Sequence, residues 1–482
     1  MSISNKKISA GILVLVLAGG GWWIAQLREP AVNWPVIIYL IDTLRADRLG
    51  LYGYDKSTSP RIDALASESV VFERANAPAP WTLPSVASIL SSTFACEHGV
   101  IVDGQKLSPS FDTLPERLRS IGYATGGYYA NPYVGPATGL DQGYDLYEVD
   151  WDKDALAAQV GAYLDQHASA PFFLYLHTIE PHDAFRTPGK FIPRSDWVSL
   201  DERKQYHARY MTYRESTGAD SIADQPRGAI DNTEEQQQAM AALNAMRDKI
   251  NALYDASIRW ADSNVGAVID ELKDRGIWDE AIFILVSDHG EEFNDHGGWV
   301  HGQSVYEELV HVPLIVHFPD GEFAGRRIED TISLLDIMPT IFDYLGRPEL
   351  CYECRGASLM PRISGADKIE ATVPVITSLR INRREYYRPW VSSRGDTNIV
   401  ARQADWKGIW NADIQNLELY DLAHDPGELE DVSADYPDLA RTLEQTASDW
   451  FSDCSALWRE PEQIQDFDEE VRQQLRSLGY FN

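Results

Sequence analysis

Apolar residues in this chain gather into short unbroken runs separated by longer stretches of mixed character. Val36-Ile37-Ile38-Tyr39-Leu40-Ile41 ends at Asp42, and Ile282-Phe283-Ile284-Leu285-Val286 stops at Ser287-Asp288-His289. Pro171 to His177 and Val312 to His317 have the same form. Runs of this length, rich in β-branched and aromatic residues, predict strands buried on both faces. Between them Leu114 to Ile121 has helical spacing, and Glu234 to Arg275 is a long helical pattern rich in Ala, Leu, Gln and Glu. Strands alternating with helices predict an α/β fold whose sheet is covered on both faces. Ligands in such sheets bind beyond the carboxyl ends of the strands. Asp42, His177 and Asp288 each stand at such an end.

Residues 186–235 break the alternation, with Arg203-Lys204 and a Ser/Thr/Gly/Asp-rich piece from Ser216 to Asp231. They read either as a lid or substrate loop or as a disordered excursion. From about residue 370 the pattern changes. Residues 373–377 and 398–401 predict strands, 406–410 and 417–422 a hairpin, and Tyr436 to Trp450 a helix. The division is therefore an N-terminal segment over 1–34, a catalytic domain over 35–368 and a smaller α+β domain over 369–482.

At the N-terminus Lys6-Lys7 precede an apolar stretch, and Ile8 through Leu27 holds 20 residues without a charge. Basic residues followed by an apolar run make an export signal. The length favours an uncleaved membrane anchor, with Trp22 and Trp23 at the interface and the catalytic part outside the cytoplasm. The small residues at 18–21 keep cleavage open. The chain has 482 residues and a formal net charge of −32. That charge excludes nucleic acid as a partner, and it requires any anionic substrate to meet a locally positive site. Four cysteines, Cys96, Cys351, Cys354 and Cys454, permit two disulfides in an exported chain, and Cys351-x-x-Cys354 reads as a local one.

The candidate chemistry lies at the run ends. Asp288 and His289 are adjacent just beyond a strand and are able to share one ion with Asp42. A mixed carboxylate and imidazole set suits zinc or manganese better than calcium. Thr82, in Trp81-Thr82-Leu83-Pro84-Ser85-Val86, offers a hydroxyl that a metal would activate. Ser85 and Ser88 are rivals. Thr82 is also a helix N-cap candidate, and a helix N-terminus favours an anionic substrate.

The order and spacing of several segments resemble the sulfatase family within the alkaline phosphatase superfamily. These are Ile41-Asp42-Thr43-Leu44-Arg45-Ala46-Asp47, Ser59-Pro60-Arg61-Ile62, Thr82-Leu83-Pro84-Ser85 with Glu97-His98-Gly99, Glu180-Pro181-His182-Asp183, Ser287-Asp288-His289-Gly290-Glu291, His301-Gly302-Gln303, and Leu419-Tyr420-Asp421-Leu422 with Asp425-Pro426-Gly427-Glu428. The resemblance implies an alkaline-phosphatase-like sandwich with a large mixed sheet. It also implies Asp42, Asp288 and His289 as metal ligands, Thr82 as nucleophile and fourth ligand, His182 as a substrate contact and His301 as proton donor to the leaving group. His301 stands where many sulfatases carry Lys. Sulfatases of the family place Cys or Ser at the Thr82 position, followed by x-Pro-x-Arg, and oxidise it to formylglycine. Threonine lacks the primary carbon that this conversion needs, and Val86 fills the Arg slot. Thr43 replaces a second Asp, and His289 an Asn found in many calcium-binding members.

These departures resemble the phosphoryl-transferring branches. The reading is a metal-dependent hydrolase of small-molecule, glycan or lipid esters, phosphoric before sulfuric. Its alternatives are a sulfatase without formylglycine, a phosphoglycerol- or phosphoethanolamine-type transferase, and an inactive binding homologue. Arg45 is divided between function and local folding. His98, His296 and His311 read as core or surface histidines, and His177 as a residue supporting the ligands.

Overall fold

The computed structural model describes residues 14–18, 21–25, 33–102, 104–149, 153–216, 238, 241–365, 375–380, 397–457, 459, 461–464 and 469–477. Eight strands make the main sheet: β1 (Val36–Ile41), β2 (Val70–Asn76), β3 (Ala124–Tyr129), β4 (Leu146–Val149), β5 (Phe172–Thr178), β6 (Ile282–Val286), β7 (His311–His317) and β8 (Arg327–Ser333). Their spatial order is β8-β2-β7-β6-β1-β5-β3-β4. Only β7 runs antiparallel to its neighbours. The sheet is therefore mixed, as expected.

The run at β1 shows why the sheet needs cover on both faces. Side chains alternate along a strand, so Val36, Ile38 and Leu40 enter one core and Ile37, Tyr39 and Ile41 the other. All six are fully buried, each contributing roughly 1.5–3 kcal/mol. One face is covered by α1 (Thr82–Ser91), Leu114–Ser120 and Ile337–Tyr344. The other is covered by Pro60–Ser67, Leu156–His167 and α2 (Arg247–Asp274).

The second sheet is antiparallel, in the order β9 (Val375–Arg380), β10 (Thr397–Gln403), β11 (Trp406–Asn411), β12 (Asn416–Asp421). Helix α3 (Pro437–Ala456) packs Leu443 and Ala447 against Ile399, Trp410 and Leu419 of this sheet. A buried ion cluster joins the two sheets. Lys407 Nζ lies 2.9 Å from Glu307 and 2.8 Å from Glu428, and Arg402 lies 3.1 Å from Glu307. The cysteines pair as Cys351–Cys354, the expected local bridge, and as Cys96–Cys454.

Three expectations are corrected. The anchor segment contains an antiparallel ribbon, Val14–Ala18 against Gly21–Ala25. Among the described residues no helix is long and apolar enough to cross a membrane. The glycines at 19–21 disfavour a continuous helix, and β-branched and Trp residues flank them. Second, the polar insertion holds a helix, Leu200–Ser216, opened by a capping box in which Ser199 and Glu202 exchange hydrogen bonds of 2.8–3.2 Å; residues 217–235 of it lie outside the described residues. Third, the long helical pattern is interrupted by a turn at Ala245-Met246 before α2 begins.

Candidate metal centre and active site

Five carboxyl-terminal strand ends meet at one edge of the sheet. Asp42 follows β1, Asn131 lies just past β3, His177 is the penultimate residue of β5, and Asp288 lies two residues past β6. Thr82 arrives through the loop after β2. In-register pairing sets Leu40 beside His177. Asp42, Thr82, Asp288 and His289 are all fully buried.

Atoms of Asp42, His177 and Asp288 that are able to bind a metal lie within 4.8 Å of one another. His177 Nε2 is 3.3 Å from Asp42 Oδ2, and the Tyr175 hydroxyl, 2.9 Å from Nδ1, fixes the ring. This places His177 among the candidate ligands, closer in than the supporting role expected of it. His289 Nδ1 is 2.8 Å from the Gly290 carbonyl oxygen and therefore carries the hydrogen. The Nε2 lone pair then faces Thr82 Oγ1 at 3.3 Å and Asp42 Oδ1 and Asp288 Oδ2 at 3.5 Å each.

The donor set fits a cation. Asp42 Oδ1 and Asp288 Oδ2 are buried and accept no hydrogen bond, a costly state for carboxylates in a low dielectric. Burial pushes the Asp42 carboxyl up, but the His177 hydrogen bond and the neighbouring imidazoles, His182 first, hold it well below the usual range. Burial and the neighbouring Asp42 charge push Asp288 far up. Burial depresses His289, keeping its imidazole neutral as a ligand must be. A divalent ion among these groups would remove the repulsion. Thr43, at φ 58°, holds a backbone conformation that a β-branched residue rarely adopts, and its amide points to Asp288 Oδ1 at 3.4 Å.

Trp81, not Thr82, is the N-cap of α1, and Thr82 is its first residue. The Thr82 hydroxyl is thus turned to the centre, 3.5 Å from Asp42 Oδ2. Its rivals are engaged elsewhere. Ser85 Oγ donates to the Asp288 carbonyl at 2.7 Å, and Ser88 Oγ is 3.0 Å from His98 Nε2.

Asn131 escaped the sequence reading. Its Oδ1 accepts from Tyr133 N at 3.0 Å, which orients the amide. Nδ2 then donates to Asp42 Oδ2 at 2.7 Å and to Thr82 Oγ1 at 3.4 Å.

The rings of His289 and His301 stand 4.5 Å apart, and those of His301 and His182 stand 5.1 Å apart. His182 and His301 are each 8% exposed, so this row leads from the centre towards solvent. Glu291, the last residue of the Ser287-Asp288-His289-Gly290-Glu291 segment, lies 3.2 Å from His301 Nδ1.

Other expected residues lie outside. Arg45 pairs with Asp47 and Asp295 and donates to the Glu291 carbonyl at 3.0 Å, a local scaffold. Burial lowers His98 to about 3, leaving it a neutral core residue. His296 and His311 bind Glu308 and the Glu73 carbonyl, away from the centre.

An α/β sandwich with buried carboxylates, imidazoles and a hydroxyl at its strand ends defines a hydrolase of the alkaline-phosphatase-like class. Residues 35–347 match the sulfatase family, and the chain belongs to it. Residues 295–449 match the family described as N-sulphoglucosamine sulphohydrolase, C-terminal. The chain is similar to arylsulfatase K of Bos taurus, 31% identical over 204 residues. That match covers 41% of this chain and only 35% of the relative, about a third of its length. It is similar nearly end to end to the N-acetylglucosamine-6-O-sulfatase of Bacteroides thetaiotaomicron, 23% identical over 529 residues, covering 92% of each. The phosphonate monoester hydrolase of Agrobacterium radiobacter shares the fold, with a TM-score of 0.68 and 21% identity over 87% of this chain and 96% of that one. The protein is thus a sulfatase-family hydrolase.

Proposed function

We propose that the protein is an exported, metal-dependent ester hydrolase in which Thr82 is the nucleophile, with phosphoric esters of small molecules, glycans or lipids as its substrates. The observation that carries this reading is Thr82 Oγ1 at the amino end of α1, 3.3 Å from His289 Nε2 and beside two unpaired carboxylate oxygens. Asp42, Asp288, His289 and His177 would hold zinc or manganese, with Thr82 completing the set. Such an ion supplies Lewis-acid polarisation of the ester and lowers the pKa of a bound hydroxyl.

The chain's own residues supply the remaining steps. The Asn131 amide donates to Thr82 Oγ1 and favours its deprotonated form. The amino end of α1 favours the negative charge of the ester. Thr82 Oγ1 forms a bond to phosphorus as the bond from phosphorus to the alcohol oxygen breaks. His301 gives the departing alcohol its proton, its Nδ1–H held by Glu291 so that Nε2 is the transferring atom. Water then cleaves the phosphothreonine ester, releases phosphate, and returns a proton to His301. Export is supported by the basic and apolar N-terminal segment and by the two disulfides.

The second reading is sulfuric ester hydrolysis through the same Thr82, favoured by the likeness to a sulfatase that covers 92% of each chain. The two separate when the zinc- or manganese-loaded protein is assayed on aryl phosphate, aryl phosphodiester, phosphonate monoester and aryl sulfate. Phosphoester turnover that falls at least about a thousandfold in Thr82→Ala, with phosphothreonine at position 82 trapped by acid quench, is the expected result. Sulfate turnover dependent on Thr82 replaces it with the second reading. Turnover unchanged in Thr82→Ala ends the nucleophile assignment.

A further inference from the structure

The bridge between Cys351 and Cys354 closes a loop whose tip is Tyr352 and Glu353. Tyr352 is 51% exposed, Glu353 is exposed, and both cysteines are half-buried. An incoming thiol therefore has access to the bridge. A cross-link over so short a loop removes little entropy from the unfolded chain, so opening it costs the fold little. Cys96–Cys454 is the opposite case. It spans 358 residues, and Cys454 is only 3% exposed.

The short bridge also has a cation beside it. Arg117, in the helix Leu114–Ser120, is 5% exposed. Its Nη1 donates to the Leu350 and Tyr352 carbonyl oxygens at 2.7 and 2.9 Å and lies 3.7 Å from Cys354 Sγ. The Tyr352 ring covers the guanidinium at 4.4 Å. Among the described residues no carboxylate forms an ion pair with it. Of the acids that act on it, Asp112 accepts from the Tyr352 hydroxyl, Glu116 closes a capping box with Thr113, and Glu353 is exposed. A buried cation without a counter-ion is a costly state. Met338, the other neighbour of Cys354 Sγ at 3.6 Å, brings no charge. A Cys354 thiolate would give Arg117 the anion it lacks. A cation in contact with a cysteine favours thiolate over thiol. A stabilised thiolate is the better leaving group and makes its disulfide easier to reduce. The two carbonyl hydrogen bonds hold the loop in shape when the bridge is open, so the sulfurs stay within reach of each other.

We infer that Cys351–Cys354 is a site of reversible thiol–disulfide exchange with a dithiol, in which Cys354 is the leaving sulfur and Arg117 its counter-ion. A thiolate of the dithiol attacks Cys351 Sγ, the bond between the two cysteine sulfurs breaks, and Cys354 departs as a thiolate against Arg117. The second thiol of the dithiol gives up its proton and attacks its own first sulfur, now bonded to Cys351. Cys351 leaves and takes up a proton. The dithiol loses two electrons and becomes a disulfide, and the two cysteines gain them. Of the two protons that the neutral dithiol loses, one ends on Cys351 and one in solvent.

The test holds the full chain in dithiothreitol redox buffers, traps the thiols by alkylation and locates them by mass spectrometry. A second arm uses reduced thioredoxin as a protein-borne dithiol. Cys351–Cys354 is expected to open at a ratio of dithiol to disulfide at least about tenfold lower than Cys96–Cys454, and Arg117→Met to raise that ratio about tenfold or more. Opening by dithiothreitol alone assigns the site to small dithiols, and opening by both extends it to a protein partner. Arg117→Met also removes two contacts to the loop, so the reduced parent supplies an independent reading. Its rate of Cys354 alkylation against pH is expected to centre about one unit or more below the ordinary thiol value of about 8.5. The inference is overturned if the short bridge opens no earlier than the long one, if a folded Arg117→Met opens as the parent does, or if the Cys354 profile centres at the ordinary value or above.

Discussion

At the residue scale, His301 makes the sharpest prediction. Its ring stands between His289 and His182 with Glu291 on Nδ1, an arrangement that matters only where the leaving alcohol needs a proton. His301→Gln should lower turnover of alkyl esters about 10²–10⁴-fold, and turnover of nitrophenyl esters far less. A plot of log kcat/KM against leaving-group pKa checks this, and an unchanged slope would remove His301 from proton transfer. Asp42, Thr82, Asp288 and His289 were legible in the sequence because each ends an apolar run or opens a helix. His177 was visible, but its partner was not, because the β1–β5 register that brings it to Asp42 depends on the order of the whole sheet. Asn131 carried no signal. It is uncharged, and the strand before it, Ala124-Thr125-Gly126-Gly127-Tyr128-Tyr129, lacks an apolar run. The two glycines are there because Tyr163 and Tyr147 pack where a Cβ would stand, 2.4 and 2.6 Å away.

At the scale of elements, buried strands announced themselves and one capped, mostly polar helix did not. Continuous apolar runs predicted β1, β5, β6 and β7, because a strand covered on both faces has no polar side to show. The helix Leu200–Ser216 was missed because its composition is mostly polar, with few apolar positions to set a helical period; its signal was the local Ser199-x-x-Glu202 pattern. That pattern predicts a measurable cost. Ser199→Ala should remove about 1 kcal/mol of local stability, raising amide hydrogen exchange along the helix about fivefold. Exchange that does not change would mean that tertiary contacts, and not the cap, set the start of this helix. At the N-terminus the uncharged length predicts an anchor or a cleaved signal, whereas the described residues there pair as a short antiparallel ribbon, Val14–Ala18 against Gly21–Ala25.

At the scale of the molecule, the two sheets are joined by elements far apart in sequence. Cys96 lies in the short helix after α1 and Cys454 lies in α3, 358 residues later. Cys351 and Cys354 are separated by 3. Loop-closure entropy makes the long bridge worth about 6 kcal/mol and the short one about 2 kcal/mol. Cys96→Ser with Cys454→Ser should therefore lower the melting temperature well beyond Cys351→Ser with Cys354→Ser in parallel scans, and equal losses would discard the entropic account. His296 adds a second, titratable join. Its Nδ1 meets Glu308 at 2.7 Å and its Nε2 the Glu428 carbonyl at 3.2 Å, linking the catalytic domain to the C-terminal segment. Burial opposes its charge, but the Glu308 hydrogen bond and the charges of Glu308 and Glu428 raise it to about 8. A raised imidazole stabilises the fold fully below its unfolded value of about 6.5, and the contribution is lost as pH climbs through about 8. The melting temperature should thus fall between those two values in the parent, and His296→Gln should flatten that fall. A variant that keeps the full slope would show that the sheets part, on the alkaline side, through some group other than this histidine.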